Sequence, residues 1–154
     1  MEHSIGKSMS FNNPVFTSYL FYCSLLVLKV LMMVPLTARW RFSKKVFANP
    51  EDTKLSPKSQ VKFDDPDVER VRRAHLNDLE NIPVFFVAAY TYLLTNPNPW
   101  LAITLMRSFV LARFAHTLVY AVVVVPQPAR FLAFMVGYGI TAYMAVVSAL
   151  SFCS

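Results

Sequence analysis

Apolar positions in this chain fall into four long blocks, with polar residues confined to the joints between them. The first block runs over residues 15–40, around YLFYCSLLVLKVLMMVPL, the third over 100–125 and the fourth over 129–152. A bilayer-crossing helix needs about 20 mostly apolar residues, and these three qualify. The second block, residues 82–94, is cleanly apolar over only thirteen positions. It crosses only if the charged stretch before it, ERVRRAHLNDLEN at 69–81, is the first half of the same helix. The joints TNPNP (95–99) and PQPAR (126–130) are short, with Pro just outside helix ends as a stop signal. The joint after the first block, RFSKKVFANPEDTKLSPKSQVKFDDPD, is long and charged. The pattern predicts helices at about 15–41, 68–94, 99–125 and 128–152, with a loop at about 42–67. That makes an all-α, up-down four-helix membrane bundle, with residues 1–154 forming a single domain.

Composition sharpens this. The chain is 55% hydrophobic and 16% charged, against about 25% charge in an ordinary soluble domain. That balance identifies an integral membrane protein. The formal charge is +6, and ten of the fifteen Lys and Arg lie within residues 39–73. Because this basic stretch joins two apolar blocks, it reads as the positive-inside mark of a cytoplasmic loop and not as a nucleic-acid site. TNPNP then lies on the opposite side, Arg130 returns to the cytoplasmic side, and both termini face the lumen or outside. The opening MEHSIGKSMSFNNPVF has no basic region leading into an apolar core and no small-residue cleavage site, so the first helix is expected to serve as anchor. Cys23 and Cys153 suggest neither a disulfide framework nor a metal site, and are expected to be free thiols. Trp40, Trp100 and Tyr19 read as interfacial belt residues.

The charged stretch has a geometry of its own. At about 100° per residue, Glu69, Arg70, Asn77 and Glu80 all lie within about 60° of Arg73. His75 and Asp78 point elsewhere, and Arg72 is about 100° away. In the third helix, RFAHTLVY puts Arg113, His116, Thr117 and Tyr120 on a second polar face. Ionisable groups at membrane depth normally line a bundle interior or a wet cavity. Arginines offer bidentate clamps to carboxylates. Glu80 can accept from an ammonium, Asn77 donates and accepts, and His116 and Tyr120 add hydrogen-bonding groups. Such a set suits a small zwitterionic ligand with several anionic groups, and glutathione fits it. Lys29 and Arg113 each count to about 18 Å, and Glu80 to about 16–17 Å, from the cytoplasmic end of their helices. This predicts a charged layer in which Glu80 pairs with Lys29, or is shared with Arg113.

Four stretches, FANPED (47–52), ERVRRAHLNDLEN (69–81), RFAHTLVY (113–120) and PQPAR (126–130), resemble the membrane-associated eicosanoid and glutathione metabolism family. The resemblance covers nearly the whole chain and is greatest to the type-one microsomal glutathione transferase branch. It implies a homotrimer in the endoplasmic reticulum and outer mitochondrial membranes. Glutathione, the co-substrate, would sit between subunits near the cytoplasmic face and, as thiolate, attack lipophilic electrophiles or reduce lipid hydroperoxides. Carried over by motif, glutathione contacts fall on Arg41, Arg72, Arg73, His75, Asn77, Glu80, His116 and Tyr120, and the arginine associated with the thiolate falls on Arg130. Thr53 stands where mammalian relatives have a cysteine. Phe131 and Leu76 stand where the prostaglandin E synthase branch carries a serine and an arginine. The segment from Tyr120 to Arg130 is one residue longer than in the mammalian transferases.

A free thiol with a pKa of about 8.5 is only slightly ionised at neutral pH, and a nearby arginine lowers that pKa. The implied chemistry therefore needs a cation beside the sulfur and a bilayer that supplies the electrophile by partition. It needs no metal, and no His/Cys cluster offers to hold one. The alternatives are a glutathione-dependent prostaglandin E synthase-like isomerase and a non-enzymatic channel or scaffold subunit that uses the charged layer for assembly.

Overall fold

Three of the four long helices start in the same way. α1 (Pro14–Lys44), α2 (Pro66–Leu94) and α3 (Pro99–Thr117) each open on a proline that follows an Asn or Asp cap. Proline's missing N–H falls where a helix has no use for one. The caps Asn13, Asp65 and Asn98 accept from the N–H groups of Val15, of Asp67 and Val68, and of Leu101, satisfying donors that the first turn leaves open. α4 (Ala129–Phe152) follows Pro128 without a side-chain cap. This computed structural model describes residues 8–153. The first seven residues, part of the opening stretch in which no cleavable leader is expected, lie outside the described residues.

α2 is continuous, so ERVRRAHLNDLEN and the apolar block after it form one helix. Among the described residues, three helical segments are long and apolar enough to cross a membrane: Pro14–Lys44, Pro99–Val122 and Ala129–Phe152. The protein is a membrane-embedded, all-helical bundle. Within the long joint, β1 (Val46–Phe47) pairs in parallel with β2 (Gln60–Val61), and a 3-10 turn spans Glu51–Leu55.

One boundary differs from the sequence pattern. The third helix was expected to reach residue 125, but its α-helix stops at Thr117 and a π turn covers Leu118–Val122. The wider turn is closed by Val123 N–H donating to Leu118 O at 2.8 Å and Val125 N–H to Val119 O at 3.1 Å. Its cause is local. Four consecutive valines, 122–125, crowd a helix at Cβ, and Pro126 disfavours helical geometry in the residue before it.

The inward stripe of α2 is Val68, Val71, Ala74, Asp78, Ile82, Phe85 and Ala89, steps of three and four that keep one helical face turned to the core. Phe85 and Phe109 of α3 stack there, with centroids 3.7 Å apart and planes within 5°. Leu26 of α1 and Met144 of α4 close the same cluster. Lipid is as apolar as these side chains, so close packing and buried polar contacts hold the helices together. Tyr19, expected at the interface, instead donates its hydroxyl to Phe86 O at 3.2 Å and ties α1 to α2. Trp100 is exposed at the start of α3.

The charged layer exists, but Asp78 is its acid and Glu80 takes no part. Lys29 Nζ pairs with Asp78 Oδ2, and Arg113 Nη2 lies 2.5 Å from Asp78 Oδ1. All three side chains are buried. Counting residues put Lys29 and Arg113 at one level, where both meet Asp78, but did not decide which acid faces them. Asp78 lies on the inward stripe facing α1 and α3, whereas Glu80, two residues later and about 200° further round, faces away. A buried carboxylate between two cations is compensated, while either cation alone would be costly there.

Candidate functional site

A cavity of about 490 Å³ opens between α2, the end of α3 and the start of α4. α2 contributes Arg73, Leu76, Asn77 and Glu80, spaced i, i+3, i+4 and i+7 so that they share one face. His116 and Tyr120, one turn apart, come from α3 and its π turn. Gln127, Arg130, Phe131 and Phe134 come from the last joint and the first turns of α4.

Tyr120 is the centre of the arrangement. Its hydroxyl accepts from Arg73 Nε at 3.3 Å, which leaves its own proton available. The Arg130 guanidinium carbon lies 4.4 Å from the centroid of its ring, within the range of a cation–π contact. The His116 ring meets it edge-on, with centroids 5.5 Å apart. Gln127, with its amide turned to satisfy both ends, accepts from Arg130 Nη2 at 2.6 Å. Glu80 is exposed to the cavity and forms no ion pair among the described residues. The cavity thus offers two guanidinium groups, a carboxylate, an amide and a phenol, with an apolar edge made by Leu76, Phe131 and Phe134.

Of the nine residues singled out in the sequence, Arg73, Asn77, Glu80, His116, Tyr120 and Arg130 line this one cavity. Arg41, Arg72 and His75 do not. Arg72 is exposed and pairs with Glu69 at 2.7 Å, about a quarter-turn from Arg73. His75 is half-buried on another side of α2, and Arg41 sits in the last turn of α1 with a buried Nη1 that has no hydrogen-bond partner among the described residues. Sequence reasoning did not select Gln127 or Phe134. The available signal for Gln127 was its position three residues before Arg130 in PQPAR, within reach of the guanidinium. Among the described residues, no group of three or more His, Cys, Asp or Glu could hold a metal ion.

Residues 19–150 match the model of the MAPEG family. The chain belongs to the MAPEG family. Every residue lining the cavity falls inside the matched range. Among curated MAPEG relatives, the chain is 45% identical over 139 residues to human "Microsomal glutathione S-transferase 1", covering 87% of this chain and 88% of that protein. It is likewise 45% identical over 143 residues to the bovine protein of that name, covering 90% and 91%. It is also 38% identical over 115 residues to human "Prostaglandin E synthase", covering 75% and 76%.

Proposed function

We infer that this MAPEG protein is a membrane-bound glutathione transferase. The observation that carries this reading is the convergence of Arg73, Asn77, Glu80, His116, Tyr120 and Arg130 on one cavity at the end of a membrane bundle. In this reading Arg73 takes a carboxylate of glutathione, Glu80 takes its ammonium, and Asn77 takes an oxygen of its backbone. The sulfur lies near Arg130, whose positive charge favours the thiolate. The thiolate forms a carbon–sulfur bond with a lipophilic electrophile, and the leaving group departs with the electron pair of the bond it breaks. With a lipid hydroperoxide, two glutathione molecules are oxidised to the disulfide while the hydroperoxide is reduced to an alcohol and water. The apolar edge made by Leu76, Phe131 and Phe134 is where a lipophilic partner approaches from the bilayer.

The functional unit in this reading is a homotrimer, in which Arg41, Arg72 and His75 reach a site shared with a neighbouring subunit. The long joint and the cavity face the cytosol, and the membranes are those of the endoplasmic reticulum and the mitochondrial surface. Similarity to prostaglandin E synthases raises the isomerase as a second reading. Against it, Leu76 and Phe131 put apolar side chains on the cavity where that branch carries an arginine and a serine. The test is conjugation of a chlorinated nitrobenzene by the purified protein in detergent. Turnover that requires glutathione supports the transferase, and turnover indifferent to glutathione overturns it.

A further inference from the structure

Beneath the cavity, a chain of polar contacts links the buried charge layer to one cavity residue. Lys29 Nζ pairs with Asp78 Oδ2, Arg113 Nη2 donates to Asp78 Oδ1 at 2.5 Å, and the same nitrogen donates to Asn77 Oδ1 at 2.7 Å. Asp78 and Arg113 are buried, and Asn77 is half-buried and lines the cavity. The two N–H groups of one guanidinium nitrogen are thereby divided between the core and the site.

The geometry points to Arg113 as a positioning residue that makes Asn77 a hydrogen-bond donor toward the bound ligand. Arginine carries donors and no acceptor, so only the oxygen end of the Asn77 amide can face it. The amide's NH2 end is then turned to the cavity, where it has no partner among the described residues. An unrestrained asparagine presents either end. This one is committed, and it selects a ligand with a carbonyl or carboxylate oxygen at that point. Asp78 fixes Arg113 in turn: its carboxylate takes one N–H of Nη2, and Lys29 neutralises the remaining oxygen. The layer therefore sets the polarity of one contact in the site as well as the register of the helices.

This inference rests on the glutathione reading, and calorimetric titration of the purified full-length protein in detergent with glutathione separates the two. Arg113→Met leaves Asp78 paired with Lys29, so the buried carboxylate stays compensated. Arg113→Met and Asn77→Ala should each raise the Kd for glutathione about five- to tenfold, the worth of one hydrogen bond. The double variant should bind no more weakly than the poorer single one, because Arg113 acts through Asn77. Lys29→Met should lower the melting temperature yet hold the Kd within about twofold, as no contact of Lys29 reaches the cavity. Multiplied losses in the double variant, or a Lys29→Met loss equal to that of Arg113→Met, would overturn the positioning role while leaving the glutathione reading intact. Failure of the unaltered protein to bind glutathione would overturn both. Should Arg113→Met not fold, Asn77→Asp carries the test. It keeps an oxygen for Arg113 but has no N–H, so affinity equal to the unaltered protein's refutes the donor assignment.

Discussion

The guanidinium of Arg130 sits over the ring of Tyr120, 4.4 Å from its centroid, while the hydroxyl of that ring accepts from Arg73. One side chain thus holds two cations of the cavity lining that come from different helices, α2 and α4. In the proposed reading, the arrangement separates two tasks, anchoring an anionic ligand and placing a positive charge beside its sulfur.

Tyr120 can be divided by substitution. Tyr120→Phe keeps the face under Arg130 and loses the Arg73 contact, and should raise KM for glutathione about three- to tenfold with kcat little changed. Tyr120→Leu removes the ring as well, and a further drop in kcat of about fivefold is expected from the lost cation–π contact. Steady-state kinetics at varied glutathione checks both. Equal kcat in the two variants would show that the ring does not place Arg130.

Arg130→Ala should reduce turnover more than affinity. Loss of the cation should raise the bound thiol's pKa by about one unit, so that the thiolate fraction at neutral pH falls by up to about tenfold. Ultraviolet absorbance of the bound thiolate at saturating glutathione measures this directly. An undiminished signal would remove Arg130 from the thiolate's environment.

The buried layer makes a stability prediction with a definite order. Asp78→Ala leaves Lys29 and Arg113 as two uncompensated buried cations and should cost about 3–5 kcal/mol. Lys29→Met leaves Asp78 paired with Arg113 and should cost much less. Adding Lys29→Met to Asp78→Ala should recover part of the loss. Thermal unfolding in detergent reads all three variants, and strictly additive shifts would mean that Lys29 and Asp78 are uncoupled.

Orientation follows from the basic joint. Protease added to sealed microsomes should cut within residues 45–65, between α1 and α2, and leave both termini protected. Cleavage confined to the N-terminal segment would reverse the topology and turn the cavity away from the cytosol.

How much of this was legible in the chain can be judged residue by residue. Alignment of Arg73, Asn77 and Glu80 on one face of α2, and the approach of Tyr120 to His116 four residues before it, follow from helical spacing alone. So does the need for ERVRRAHLNDLEN to belong to the second helix, since its apolar half is too short by itself. The early end of α3 was missed, since the apolar run continues to residue 125; the valines before Pro126 carried a signal for it, but the π turn that absorbs it depends on where its carbonyls find donors.

By itself, then, the sequence determined the membrane class, the four helical segments and the polar faces of the second and third helices, because these depend on composition, length and periodicity along one chain, while the family was legible in the resemblance of four short motifs. Only the tertiary structure decided that Asp78, and not Glu80, receives Lys29 and Arg113. Only it brought Gln127 to Arg130, and only it turned the Asn77 oxygen inward to Arg113. Depth in a bundle can be counted along each helix separately. Which side chains meet depends on how each helix is rotated against its neighbours, and packing across several helices sets that rotation.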